Sequence, residues 1–273
     1  MIGLVGLGQM GGAMLRRLRG QGQGVRGFDL DAGLNEAACA SPAGVAGPLV
    51  LLSLPHAAAV QTVLEALLPH MPPGGVIVDT STLEPAAARR FAAAANAVGV
   101  AYLDAPVSGG PAGAASGQLA MMVGGSARAL EQVRPSMLLL AARIVHVGES
   151  GAGQVAKLAN NLLVATHLAA AAEALRMAAA AGVPPEAILP VINAASGRSA
   201  ATEVNWPRWI SSGAFDSGFT AGLMRKDVRL ALALAAEFGA PLSVCAAAAA
   251  EWETSAVGDA EEFNHVPAGM FSA

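Results

Sequence analysis

The sequence has only two cysteines, Cys39 and Cys245, in 273 residues. Two thiols that far apart supply neither a disulfide framework nor the paired spacing of a zinc site, and they fit a reducing compartment. His70, His146 and His167 are scattered, so no metal-ligand grouping emerges. Basic residues are also scarce. Sixteen Lys and Arg stand against twenty Asp and Glu, which leaves nucleic-acid binding without an electrostatic footprint. The longest apolar stretch, Leu162 to Ala181, carries His167, Glu173 and Arg176, whose charges oppose membrane insertion. The N-terminal residues lack a basic segment leading into an apolar core and a cleavage site. The expectation is a cytoplasmic protein without nucleic-acid, membrane or metal partners.

Apolar residues make up 54% of the chain and aromatics only 4%, so Ala, Leu and Val dominate and favour closely packed helices. The length suggests one or two domains. Short apolar runs read as strands at Ile2 to Val5, Val25 to Phe28, Leu49 to Leu54, Val76 to Val78, Val100 to Leu103, Leu119 to Val123 and Ile144 to Val147. Helical patterns lie between them at Met10 to Arg19, Ala57 to Leu68, Glu84 to Ala97 and Ala127 to Leu140. Such alternation implies a doubly wound parallel α/β sheet over residues 1–150. Beyond it the strand signal stops. A helix from Gln154 to Ala181 is followed by helices at Glu186 to Ala195, Leu223 to Phe238 and Leu242 to Ser255, an all-α domain over residues 151–273.

Gly6-Leu7-Gly8-Gln9-Met10-Gly11 follows the first strand and opens the first helix, the context that gives a dinucleotide fingerprint its meaning. Gly6 permits the turn, Gly8 admits a pyrophosphate and Gly11 allows close helix–strand packing. Asp29 ends the second strand and suits the adenine ribose hydroxyls; Leu30 follows where a 2′-phosphate would want a cation. NAD is therefore expected, with NADP left open by Arg26 nearby. Leu54-Pro55 and Asp79-Thr80-Ser81-Thr82 close the third and fourth strands, where ligands of open α/β sheets bind. Thr82 also reads as a helix N-cap.

Lys157 and Asn161 are four apart, on one face of the long helix and among Ala, Val and Leu. Burial and the positive end of the helix both disfavour an ammonium, so this lysine suits proton exchange with a substrate oxygen, the amide of Asn161 holding that oxygen or the lysine in place. By spacing alone, a snorkelling surface lysine is the competing reading. Ser108-Gly109-Gly110 presents a hydroxyl and successive N–H groups suited to a small carboxylate.

The glycine loop, Asp104 to Gly110 and Gly151 to Asn161 together resemble the β-hydroxyacid dehydrogenases, and Lys226-Asp227-Val228-Arg229-Leu230-Ala231, with Phe219 seven residues before it, resembles a fourth signature of that family. The resemblance implies a Rossmann domain, a long connecting helix and an all-α domain that forms a homodimer or homotetramer. It implies that Lys157 is the acid/base, that Asn161 positions substrate, and that Ser108, Gly109 and Gly110 hold its carboxylate. It places Leu54, Pro55, Thr82 and Lys226 on the cofactor, and Phe219 and Asp227 in the site; by its residues alone, Lys226-Asp227 is an adjacent charge pair at a solvated helix start. Imine reductases and 6-phosphogluconate dehydrogenases share the scaffold, and a non-catalytic dinucleotide-binding protein is the alternative outside enzymes. Two departures stand out. His56 replaces the Asn or Ser that relatives often carry after Leu-Pro, and Asp259 to Ala273 has no counterpart motif and reads as surface decoration.

Overall fold

The structure is a computed structural model that describes residues 1–34 and 39–272. The chain divides into two compact units, Met1–Lys157 and Leu158–Ala273. The first is built on an eight-stranded sheet: β1 (Ile2–Val5), β2 (Val25–Phe28), β3 (Leu49–Leu52), β4 (Val76–Asp79), β5 (Ala101–Asp104), β6 (Val107–Ser108), β7 (Leu119–Gly124) and β8 (Ala141–Gly148). The order is β2-β1-β3-β4-β5-β7-β6, with β8 also on β7.

Helices α1 (Gln9–Gly20), α4 (Gly110–Ser116) and α5 (Ala127–Met137) cover one face, while α2 (Ala57–Leu67) and α3 (Pro85–Asn96) cover the other. Successive residues in a strand point to opposite faces, and both faces are covered by helices, which explains the unbroken apolar strands. Leu51, Val78 and Leu103 pack with Met14, Leu18 and Leu130, whereas Val50, Ile77 and Tyr102 pack with Val60, Leu64 and Phe91. The expected parallel sheet holds from β2 to β5, but β7 runs antiparallel to β5 and β6. Between β5 and β7 lie only the two-residue β6 and the seven-residue α4, too short to serve as a parallel crossover.

The second unit is helical. Helix α6 (Ala152–Ala180), α7 (Pro185–Ala194), a π-helix (Ala201–Ser211), α8 (Ala221–Glu237), α9 (Ser243–Thr254) and α10 (His265–Ser272) follow in order, the division of the chain falling within α6. By length and composition α6 could cross a membrane; its Leu158, Leu162, Leu168 and Leu175 pack in the core of this unit with Trp206 and Trp252. Neither the π-helix nor α10 was legible as a period of 3.6, because Pro207 and Pro267 interrupt them.

The segment after Asp259 corrects the expectation of surface decoration. Phe263 packs edge-on against Phe219 and stacks with Trp252, at 5.4 and 6.3 Å between ring centroids. Its N–H donates to Phe219 O (3.0 Å), and Glu261 O and Asp259 O accept from Ala221 and Gly222 at the start of α8 (2.8 and 3.0 Å). Arg225, buried in α8, donates to Asp259 Oδ1 and to the carbonyls of Trp252, Ser255 and Val257. The tail is thus a structural brace. Trp252 is fully buried and gives its indole N–H to Ala165 O (3.0 Å). Trp252→Ala is expected to cost about 3–5 kcal/mol, read as a lower urea midpoint in unfolding followed by circular dichroism.

Candidate active site

The glycine loop is held by the backbone rather than by side chains. Gly6 has φ +88°, and a Cβ there would lie 2.1 Å from Ser53 O. A Cβ on Gly11 would lie 1.8 Å from Gly6 O, so both positions are closed to any other residue. Gly8 differs: a Cβ there would meet nothing within 4 Å. Its hydrogen therefore keeps open a space outside the protein, as an approaching pyrophosphate requires. Gly8 caps α1 without a side chain, and the first turn has no acidic residue, so the helix start itself is left open to an anion.

Asp29 is tied to this loop. Its Oδ2 accepts the N–H of Leu7 (2.6 Å) and its Oδ1 the N–H of Asp31 (2.9 Å). Each oxygen has a second lone pair, so this bracing leaves acceptor capacity for ribose hydroxyls. Leu30 beside it is 91% exposed. Leu54 and Pro55 lie just past β3, which ends at Leu52, and Leu54 N–H donates to Ser81 Oγ (2.9 Å). His56 proves to be the N-cap of α2, its Nδ1 accepting from Ala59 N–H (3.1 Å). Thr82 is half-buried and is not the cap of α3; Glu84 occupies that position, with Pro85 opening the helix. Ser108 ends β6, and Gly109 and Gly110 turn into α4 with φ +125° and +62°, values that require glycine.

Beneath these loops lies a buried polar web that sequence spacing did not reveal as a unit. Asp79 and Asp104 are register partners on β4 and β5, both without exposure. Asp79 accepts Tyr102 O–H (2.5 Å) and Ser81 N–H (2.9 Å); burial nevertheless pushes its carboxyl up to about 6 and the Tyr102 phenol well above its ordinary value. Asp104 accepts Gly151 N–H (2.7 Å) and Gln154 N–H (3.1 Å), capping α6 from 47 residues away, and burial raises its carboxyl too. Position 153 is closed to any side chain, since a Cβ there would lie 2.5 Å from the carbonyls of Asp104 and Met122 and 2.9 Å from Asp104 Oδ2.

Lys157 sits in the second turn of α6 and is 7% exposed, which overturns the reading of a snorkelling surface lysine. Asn161 lies one helical turn further on. In the second unit Asn161 Nδ2 donates to Asp227 Oδ2 (2.6 Å), and its Oδ1 accepts from Asn160 (3.0 Å). Asp227 is 2% exposed, so the Lys226-Asp227 pair is no solvated helix start. Among the described residues its Oδ1 has no hydrogen-bond partner, and the Lys226 ammonium lies 3.3 Å away. Phe219 is half-buried against Phe263. Among the described residues, no group of three His, Cys, Asp or Glu could hold a metal ion.

An open glycine loop on a mostly parallel sheet defines a dinucleotide-binding α/β protein. Residues 1–148 match the family described as the NAD binding domain of 6-phosphogluconate dehydrogenase, and residues 151–266 that described as NAD-binding of NADP-dependent 3-hydroxyisobutyrate dehydrogenase. The chain is 38% identical over 259 residues to 2-(hydroxymethyl)glutarate dehydrogenase of Eubacterium barkeri, covering 90% of this chain and 86% of that protein. It is 39% identical over 248 residues to the NAD-dependent L-serine dehydrogenase of Pseudomonas aeruginosa, covering 84% and 83%. The solved structure of Mycobacterium tuberculosis 3-hydroxyisobutyrate dehydrogenase with L-serine superposes with a TM-score of 0.91 at 34% identity over 98% of each chain. The chain belongs to the β-hydroxyacid dehydrogenase family and is an NAD(P)-dependent oxidoreductase.

The buried Asp79 makes stability depend on pH. Its carboxyl titrates at 3.8 when unfolded and at about 6 when folded, so the folded state binds more protons between these values. The contribution of Asp79 to stability is therefore greatest at low pH and falls as pH rises through about 6. Relative to Asp79→Asn, the wild-type protein is expected to lose about 2 kcal/mol between about pH 4 and about pH 7, measured by urea unfolding at each pH.

Proposed function

We propose that the chain interconverts a small β-hydroxy acid and its semialdehyde, with Lys157 as the general acid/base. The observation that carries this reading is the seating of Lys157, buried in the second turn of a helix whose start is capped by a buried carboxylate. In oxidation, Lys157 Nζ enters as the free amine and takes the hydroxyl proton as the carbonyl forms; in reduction the ammonium returns it. When bound, the nicotinamide takes up or supplies the hydride at the substrate carbon.

Asn161 steers the reacting oxygen. One Nδ2 hydrogen is committed to Asp227, which fixes the amide's orientation, and the other is assigned to the substrate. Asp227 thus serves the substrate through Asn161, and Phe219 supplies apolar wall. Ser108, Gly109 and Gly110 take the substrate carboxylate, supported by the two positive φ values of this glycine turn, a backbone form that suits anion-binding nests. Gly6, Leu7, Gly8, Gln9, Met10 and Gly11 cradle the pyrophosphate, with Leu54, Pro55, Thr82 and Lys226 as further cofactor contacts.

NAD is the preferred cofactor, because the Asp29 carboxylate repels a 2′-phosphate and the exposed Leu30 offers it no cation. Residues 1–150 act as the cofactor domain and 151–273 as the substrate and assembly domain. The helical part forms the homodimer or homotetramer; Leu163, Met177 and Val191 are exposed apolar residues suited to it. A cytoplasmic location agrees with two free cysteines.

In an absorbance assay at the NADH band with a panel of small hydroxy acids and semialdehydes, NADH is expected to outperform NADPH. NADH binding without turnover on any of them would identify a non-catalytic binder instead. Lys157→Ala is expected to lower kcat by about 10³-fold while NADH affinity stays near wild type, a split that a folding defect would not produce.

A further inference from the structure

One fully buried side chain in the polar web has no part in the chemistry proposed above. Gln154 is without exposure, and its carboxamide makes two bonds across the first unit. Oε1 accepts Leu83 N–H at 2.9 Å and Nε2 donates to Ser81 O at 2.9 Å. These are the two peptide groups flanking Thr82. A residue paired with Thr82 in a parallel ladder would bond the same two groups, the carbonyl before it and the N–H after it. The Gln154 side chain thus stands in for a strand at a place where the sheet has none, and it holds the Thr82 backbone in extended pairing. Its own N–H is meanwhile committed to Asp104 Oδ2 at 3.1 Å, so both ends of the residue are fixed. Lys157 follows three residues later, on the adjacent face one turn along the helix.

We infer that Gln154 is a positioning residue that locks the segment Ser81–Leu83 to the helix start carrying Lys157, and so sets the acid/base group in register with the cofactor-side loop. The inference rests on the roles proposed for Lys157 and Thr82, but the lock is a physical linkage that can be read without turnover. An amide is the side chain that suits it. A carboxylate lacks the donor that Ser81 O needs, and an apolar isostere leaves two buried peptide groups unpaired.

Lys157 and Lys226 are the only lysines in the sequence, so amine labelling of the folded protein reports on two side chains. In Gln154→Met, pulse labelling with acetic anhydride and peptide mapping by mass spectrometry is expected to show Lys157 reacting about tenfold faster and Lys226 unchanged, as the linkage loosens locally. With a substrate in hand, kcat of the same variant is expected to fall about 10²-fold while KM for NADH stays within about threefold. Gln154→Glu supplies a second readout should the apolar variant not fold. Protonated, the introduced carboxyl offers one donor and one acceptor and rebuilds both bonds. Its kcat relative to wild type at the same pH is therefore expected to recover about tenfold from about pH 8 to about pH 6, since burial raises a carboxyl's pKa. Unchanged labelling of Lys157 in Gln154→Met overturns the inference even if no substrate is found, an outcome distinct from failure of the proposed reaction. With an active wild type, an unchanged kcat in Gln154→Met, or a pH-independent ratio in Gln154→Glu, also overturns it and leaves Gln154 as a structural bolt.

Discussion

A carboxylate without solvent must be given donors, and much of the arrangement of the first unit follows from where Asp104 finds them. Its side chain reaches the N–H groups of Gly151 and Gln154, the positive end of α6. That single cap fixes the helix whose second turn carries Lys157. It also dictates its surroundings: Gly124 and Gly153 lack side chains because a Cβ on either would fall within 3 Å of the Asp104 carboxylate. Gly151 is a glycine for a different reason: its φ is +93°, and a Cβ there would lie 2.9 Å from Pro85 O.

A second carboxylate stands beside the first. Asp79 and Asp104 occupy paired positions at the carboxyl ends of adjacent strands, where a doubly wound sheet places its ligands. Burial raises the cost of ionising both, Asp104 adds to that cost at Asp79, and Tyr102, Ser81, Gly151 and Gln154 supply the donors that make both tolerable. The result is a rigid floor beneath Leu54, Thr82 and the α6 start. Positioning groups of this kind hold reacting groups to tolerances that mobile loops do not achieve. The second unit repeats the logic with different residues. Arg225 binds four acceptors around the end of α9, and the Phe263 segment braces the start of α8, so that buried Asp227 can orient Asn161.

Legibility in the sequence followed the range of the interactions. Strands β1, β2 and β4 were readable to within one residue, because short apolar runs bounded by Gly, Pro or Asp carry a local signal. The glycine loop was readable for the same reason. Helix α4 was missed because seven residues rich in Gly and Ala show no period, and the π-helix and α10 because proline breaks theirs. Thr82 was misread as a cap since Glu84 and Pro85 compete with it for the same turn. His56 stood out only as a departure from the family pattern; its ring closes the first turn of α2.

Sequence alone singled out the candidate site residues: the loop from Gly6 to Gly11, Asp29, Lys157 and Asn161 all stand out through spacing along one strand end or one helix face. Only the tertiary structure decided what holds them. The bonds of Asp104 to Gly151, of Gln154 to Ser81 and Leu83, and of Asn161 to Asp227 span 47 to 73 residues, and no local pattern encodes such distances. Their donors and acceptors meet because burial forbids any polar group to remain without a partner, a condition that applies only once the chain has folded.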